Sequence, residues 1–254
     1  GTETNVSKGI AGYDQDPVFS PDGRKLVWRS MARDGFEADK DRIMIYDFAT
    51  AKYADYSENF DQNANNFAWT ADSKTLYFLS PIHGTVQIYT LNTENKQIKP
   101  VSSGQCDFLS VALSGKDIIT SKQSMTSPTE IFKIDATGKE TQLSFTNKEI
   151  LKDVKSAKVE ERWMTTTDNK KMLVWVVYPP DFNPNKKYPA LLFCEGGPQS
   201  MVSQFFSYRW NMQIMAANDY IVIAPNRRGL PGFGQEWNDQ ISGDYGGQNM
   251  KDYL

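Results

Sequence analysis

One strand pattern recurs along this chain at a fixed interval. Ile45-Tyr46, Ile88-Tyr89 and Ile131-Phe132 each sit inside an apolar run, and 43 residues separate each pair from the next. Upstream of the first two, a polar turn leads into another apolar run: Ser20-Pro21-Asp22-Gly23 before Leu26-Val27-Trp28, and Thr70-Ala71-Asp72-Ser73 before Leu76-Tyr77-Phe78. A shorter version, Ser114-Gly115-Lys116-Asp117, precedes Ile118-Ile119. Polar turns also follow each repeat, at Ala49–Lys52, Asn92–Lys96 and Asp135–Lys139. Strand, turn, strand, strand, turn, strand at a period of about 40–50 residues is the grammar of β-propeller blades. Three blades are expected between Asp16 and Phe145, and three do not close a propeller.

Near Asn147 the pattern changes. Lys148 to Lys158 is charged and reads as a crossover or short helix. Val159–Trp163 and Lys171–Pro180 read as two strands around the Asp168-Asn169-Lys170 turn. Tyr188–Cys194 is apolar without alternation, as expected of a strand buried on both faces. Phe206–Asn218 carries Trp210, Ile214 and Ala217 at helical spacing, and Tyr220–Ala224 reads as a fourth strand. Strand, helix, strand opens an α/β sheet. The expected division is therefore residues 1–147 and 148–254.

Composition narrows the chemistry. The 254 residues include 28 basic and 31 acidic side chains, a net charge of −3, and the mean hydropathy is −0.55. Mixed, near-balanced charge leaves no electrostatic footprint for nucleic acid, and no run is apolar enough for a membrane helix. A single histidine, His83, excludes a multi-histidine metal site. Cys106 and Cys194 have no metal-ligand spacing and read as buried free thiols. No metal and no cofactor are expected.

Two loops follow the ends of strands, where open α/β sheets place ligands. One is Cys194-Glu195-Gly196-Gly197-Pro198-Gln199-Ser200. The other runs from Pro225-Asn226-Arg227-Arg228-Gly229 through Gly232-Phe233-Gly234 and Trp237 to Gly246-Gly247. Paired glycines let a backbone turn sharply and present N–H groups, although Gly-Gly-Pro alone also suits an ordinary turn. With the Ser-Pro-Asp-Gly turn, Tyr188-Pro189 and Asp252, these loops resemble the prolyl oligopeptidase family of serine peptidases, in its dipeptidyl-peptidase and acylaminoacyl-peptidase branch.

The resemblance implies three C-terminal propeller blades followed by the N-terminal part of an α/β-hydrolase domain. It implies acyl-enzyme hydrolysis of short peptides from their amino ends, with oligopeptides as substrate partners. The Gly197 N–H would donate to the tetrahedral oxyanion while Gly196 shapes the turn. Glu195 departs from the family, in which Tyr or His is frequent here. A carboxylate accepts but does not donate, so Glu195 is expected to turn away, pairing with Arg209, Arg227 or Arg228, or to bind a substrate amine. Arg227 and Arg228 either orient a substrate carbonyl or brace their loop through Asp244 or Asp252. Phe205, Phe206, Tyr208 and Trp210 are expected in the core.

In this family the nucleophile stands in a G-x-S-x-G elbow, with Asp and His later. No G-x-S-x-G occurs in these residues. The triad is expected beyond Leu254, with the remainder of the hydrolase domain as this chain's partner, so no catalytic residue is assigned within it and the chain alone is expected to be inactive. His83, in a blade turn, does not replace the family's late histidine. The resemblance favours a periplasmic or secreted protein and is silent on oligomeric state. The alternative is a non-catalytic propeller binding module with an α/β extension, although such a module has no use for the Arg-Arg-Gly loop.

Overall fold

The computed structural model describes residues 1–197 and 200–254. Among them, antiparallel meanders occupy the first half. β1 (Asp14–Phe19), β2 (Lys25–Ser30), β3 (Arg42–Asp47) and β4 (Lys52–Asp55) form one sheet in that order. β5 (Asn65–Trp69), β6 (Thr75–Ile82), β7 (Thr85–Asn92) and β8 (Ile98–Pro100) repeat it. After the short β9 (Asp107–Phe108) comes a third meander of β10 (Ala112–Ser114), β11 (Asp117–Ser124), β12 (Ser127–Ile134) and β13 (Glu140–Gln142). β9 pairs with β11 and, at Val86 and Asp107, with β7, which joins the second meander to the third.

The repeated apolar pairs all fall on the third strand of their meander, since Tyr46 lies in β3, Tyr89 in β7 and Phe132 in β12. Turn chemistry repeats as well. Ser20 Oγ donates to Asp22 Oδ1 at 2.6 Å, and the same oxygen accepts the Arg24 N–H at 3.0 Å. Thr70, Asp72 and Lys74 make the equivalent bonds at 2.6 and 3.1 Å. A side chain that closes its own turn fixes where the next strand starts. Between the first two meanders, Val27, Ile43, Ile45, Leu76, Phe78 and Leu91 share one buried cluster. The alternating residues of facing sheets thus bury each other's apolar faces.

A different sheet follows α1 (Lys148–Leu151). Its spatial order is β14 (Val159–Thr165), β15 (Lys171–Val177), β17 (Ile221–Pro225), β16 (Ala190–Leu192). β16 and β17 are parallel, and α2 (Met212–Ala217) lies between them in sequence. α3 (Gln235–Asp239) and α4 (Gln248–Tyr253) come after β17.

Four sequence expectations fail here. β16 is three residues long and only partly buried, with Leu192 44% exposed; among the described residues it pairs with β17. The helix expected from Phe206 is confined to Met212–Ala217. Ser207 Oγ accepts the Arg209 and Trp210 N–H groups, and Asn211 caps the shortened helix through the Gln213 N–H at 2.9 Å; these local bonds compete with a helical start upstream. Of the aromatic group only Phe205 packs against the core, half-buried like Phe206, while Trp210 is exposed and Tyr208 is 80% exposed. The two cysteines are free, but neither is fully buried as expected: Cys106 is half-buried and Cys194 is exposed. No helix among the described residues is long and apolar enough to cross a membrane.

The α/β sheet packs on the meanders through a continuous seam. Met125, from the β11–β12 turn, is buried in the same cluster as Leu173, Trp175, Val202 and Leu230. The turn between β6 and β7 meets β15: a Cβ on Gly84 would stand 2.4 Å from Leu173 Cδ2. The neighbouring His83 N–H donates to Gly232 O at 3.0 Å, and the His83 ring lies 5.4 Å from Trp163 and 5.7 Å from Phe233. The lone histidine is thus an element of the seam, among aromatic rings.

Asp107 is the seam's buried acid, 1% exposed. Its Oδ1 accepts the Val86 N–H at 3.0 Å and the Gln204 N–H at 3.2 Å, while Oδ2 accepts Ser203 Oγ at 2.6 Å. Burial outweighs these donors and pushes its carboxyl up to about 6. A carboxyl raised in the folded state is stabilising while protonated, so its contribution is full below the ordinary value of 3.8 and is lost as pH rises through about 6. The loss amounts to about 3 kcal/mol. Asp107→Asn retains acceptors for both N–H groups and a donor for Ser203. Urea unfolding from pH 4 to 7 is expected to show the wild type losing stability relative to Asp107→Asn as pH rises; parallel curves would contradict the assignment.

Candidate functional site

The loops after β16 and β17 lie side by side. Past β16, Phe193 N–H donates to Ile223 O at 2.8 Å, and the chain then leaves the sheet through Cys194, Glu195, Gly196 and Gly197. Gly197 has φ of +103°, the left-handed region that favours glycine, while a Cβ on Gly196 would meet nothing within 4 Å. Pro198 and Gln199 lie outside the described residues.

Past β17, every polar side chain of Asn226-Arg227-Arg228 is buried and engaged. Asn226 is fully buried; its Oδ1 accepts the Val202 N–H at 2.9 Å and its Nδ2 donates to Val202 O at 3.0 Å. One side chain thus substitutes for a strand neighbour and pins the segment after the glycine loop.

Arg228 bridges two carboxylates. Nε donates to Asp252 Oδ2 at 2.7 Å and Nη2 to Asp252 Oδ1 at 3.0 Å, while Nη1 and Nη2 each reach Asp168 at 2.9 Å. The guanidinium also lies over Trp237, 5.1 Å from the ring centroid. Asp168 is held well below the usual carboxylate range by Arg228 and then by the Thr166 hydroxyl, and Arg228 is raised by its two acids against the cost of burial. This geometry is a forked, two-sided ion pair that ties the β14–β15 turn to α4. Of the partners the sequence suggested, Asp252 is used and Asp244 is not. Asp244 instead accepts the Gln248 N–H at 3.0 Å, at the start of α4.

Arg227 turns the other way and contacts backbone. Nη2 donates to Glu195 O at 3.0 Å and Nη1 to Arg228 O at 2.8 Å, while Nε donates to Tyr253 Oη at 3.2 Å. Tyr253 Oη donates in turn to Glu195 O at 3.3 Å. The Glu195 carboxylate forms no ion pair with Arg209, Arg227 or Arg228 among the described residues. Burial raises its carboxyl, with Arg227 pulling it partly back. Both arginines thus brace loops through contacts within the protein.

Sequence reasoning missed three participants. Asp168 looked like a turn residue only, Tyr253 carried no signal, and the tie between Asp107 and the Ser203-Gln204 segment joins residues 96 positions apart. A hollow of about 910 Å³ covers the other side of the sheet, bounded by Met172, Val174, Val176, Leu192, Ile223 and Tyr253. Gly196 and Gly197 are not among its walls. No cluster of acidic, histidine or cysteine side chains among the described residues is arranged to hold a metal ion.

Comparison with known proteins gives this arrangement relatives. Residues 206–254 match the prolyl oligopeptidase family. A dipeptidyl-peptidase 5 from Porphyromonas gingivalis is 45% identical over 255 aligned residues, covering 100% of this chain and 37% of the relative. Its counterpart from Porphyromonas endodontalis is 47% identical, with the same coverage. The chain spans about 37% of the length of these curated relatives. Among solved structures, an acylaminoacyl peptidase bound to Z-Gly-Gly-Phe-chloromethyl ketone superposes with a TM-score of 0.82 at 22% identity, over 96% of this chain and 37% of that one. The Pyrococcus horikoshii acylaminoacyl peptidase gives 0.79, also at 22% identity, over 96% of this chain and 36% of that one. At that identity the likeness is one of fold.

Proposed function

The chain belongs to the prolyl oligopeptidase family, and from that premise we propose that it is part of a serine peptidase that releases dipeptides or acylated amino acids from short peptides. The observation that carries this reading is the 45% identity to a dipeptidyl-peptidase 5 across the whole chain. In this reading residues 1–147 are three blades of a propeller and residues 148–254 open an α/β-hydrolase domain. The blades screen substrates by size, and the seam between the two regions borders the space in which a peptide is held.

The glycine loop at Gly196 and Gly197 then supplies backbone N–H donors to the oxyanion of acyl transfer, each such donor being worth on the order of 3 kcal/mol. Arg227 and Arg228 serve as scaffolding. The Glu195 carboxylate stands beside the loop without an ion pair, so it is available to a substrate ammonium group. Nucleophile, acid and histidine base come from sequence outside these residues, which contain no G-x-S-x-G and whose one histidine lies among Trp163 and Phe233.

Two outcomes test the proposal. The 254-residue chain is expected to show no stoichiometric labelling of a single serine by a fluorophosphonate; such labelling would overturn the role division. The natural reading frame past Leu254 is expected to encode G-x-S-x-G followed by Asp and then His. A stop codon there would favour the non-catalytic binding module.

A further inference from the structure

Arg227 is 5% exposed, yet no carboxylate among the described residues lies within ion-pair distance of it. A buried arginine without a paired acid is costly to keep, and its neighbour Arg228 has two acids. What Arg227 holds is backbone. The Glu195 carbonyl accepts from Arg227 Nη2 at 3.0 Å and from Tyr253 Oη at 3.3 Å, which fills both of its lone pairs. Arg227 Nε also donates to that tyrosine oxygen, so the phenol relays the cation's pull to the same carbonyl.

The Glu195 carbonyl and the Gly196 N–H belong to a single peptide unit. Drawing electron density toward the oxygen makes the N–H of that unit a stronger donor, as in any chain of polarised hydrogen bonds. Arg227 itself is held from the far side by Trp237 Nε1, which donates to Arg227 O at 3.1 Å, and Gly229 leaves room for its Nη1, since a Cβ there would lie 2.8 Å from it.

We propose that Arg227, with Tyr253 as its relay, is a positioning residue for the glycine loop: it fixes the Glu195–Gly196 peptide plane and strengthens the Gly196 N–H as an anion donor. This rests on the reading of the loop as the oxyanion site. Arg227 touches no reacting atom.

The test has two arms. In the 254-residue chain, the Gly196 amide proton is followed by NMR in wild type, Arg227→Met, Arg227→Lys and Tyr253→Phe. An upfield move is expected in Arg227→Met, a smaller one in Tyr253→Phe, and partial restoration in Arg227→Lys, which keeps the charge but not the fork. In the longer polypeptide that carries the triad, Arg227→Met is expected to lower kcat about 10-fold with little change in KM, a fraction of what deleting a donor outright costs. An unmoved Gly196 resonance together with wild-type kcat overturns the proposal. If the wild-type polypeptide hydrolyses no dipeptidyl or acylaminoacyl substrate, the peptidase reading fails by itself and the NMR arm alone decides the role of Arg227. Should Arg227→Met not fold, Tyr253→Phe carries both arms, since it removes the relay and keeps the ring.

Discussion

Arg228→Met is expected to destabilise the protein by about 3–5 kcal/mol in urea unfolding at neutral pH, among the largest losses any single substitution here would cause. The reason lies with the partner left behind. The Asp252 side chain is 0% exposed and takes two of its charge-assisted bonds from Arg228 Nε and Nη2. Methionine fills much of the space but leaves that carboxylate in a dry site with only the Arg228 main-chain N–H, at 3.1 Å, to hold it. Asp168, at 35% side-chain exposure, reaches water and contributes far less to the penalty. The double variant Arg228→Met with Asp252→Leu is expected to recover most of the loss, because removing both members of a buried pair is close to neutral. A loss below about 1 kcal/mol for Arg228→Met would show that α4 is not held through this pair.

Gly84→Ala is expected to cost about 2–4 kcal/mol, combining left-handed backbone strain with overpacking. Gly84 has φ of +72°, and a Cβ there would stand 2.4 Å from Leu173 Cδ2 and 2.6 Å from Trp175 Nε1. Both neighbours are fully buried. Trp175 Nε1 also donates to Val202 O at 3.0 Å, so moving the indole breaks the bond that anchors the segment after the glycine loop. Gly23→Ala provides the control. It has a similar φ of +69° with open space around the Cβ, so only the backbone cost of about 1–2 kcal/mol applies. Equal losses in the two variants, measured by chemical denaturation with tryptophan fluorescence, would mean that the β6–β7 turn does not bear on β15.

Much of the strand architecture was legible because its causes are local. Alternation marks a strand within a few residues, and the Asp22 and Asp72 carboxylates close their own turns. The 43-residue interval then placed Tyr46, Tyr89 and Phe132 at one position of a recurring unit, and all three lie on the third strand of a meander. Failures came where local signals competed or where a neighbour decided the outcome. Trp210, Ile214 and Ala217 are at helical spacing, yet the Ser207 hydroxyl captures two N–H groups ahead of them and the helix starts only after Asn211. Leu191 and Leu192 read as a doubly buried strand, but burial of a strand's faces is decided by what packs above and below it, and Leu192 is 44% exposed.

By itself, the sequence determined which residue types stand at the candidate site: a carboxylate before two glycines, and two adjacent arginines after the next strand. The tertiary structure gives those arginines their partners within the protein. Consecutive side chains leaving a strand point in different directions. Arg228 therefore meets Asp252 and Asp168, 24 and 60 residues away, while Arg227 meets the Glu195 carbonyl 32 residues away. Local sequence cannot encode such partners, because an ion pair or a carbonyl clamp depends on which distant segments share a buried space. Only the packing of β17, the glycine loop and α4 against one another brought these groups together, assigning one arginine to two acids and the other to a peptide bond.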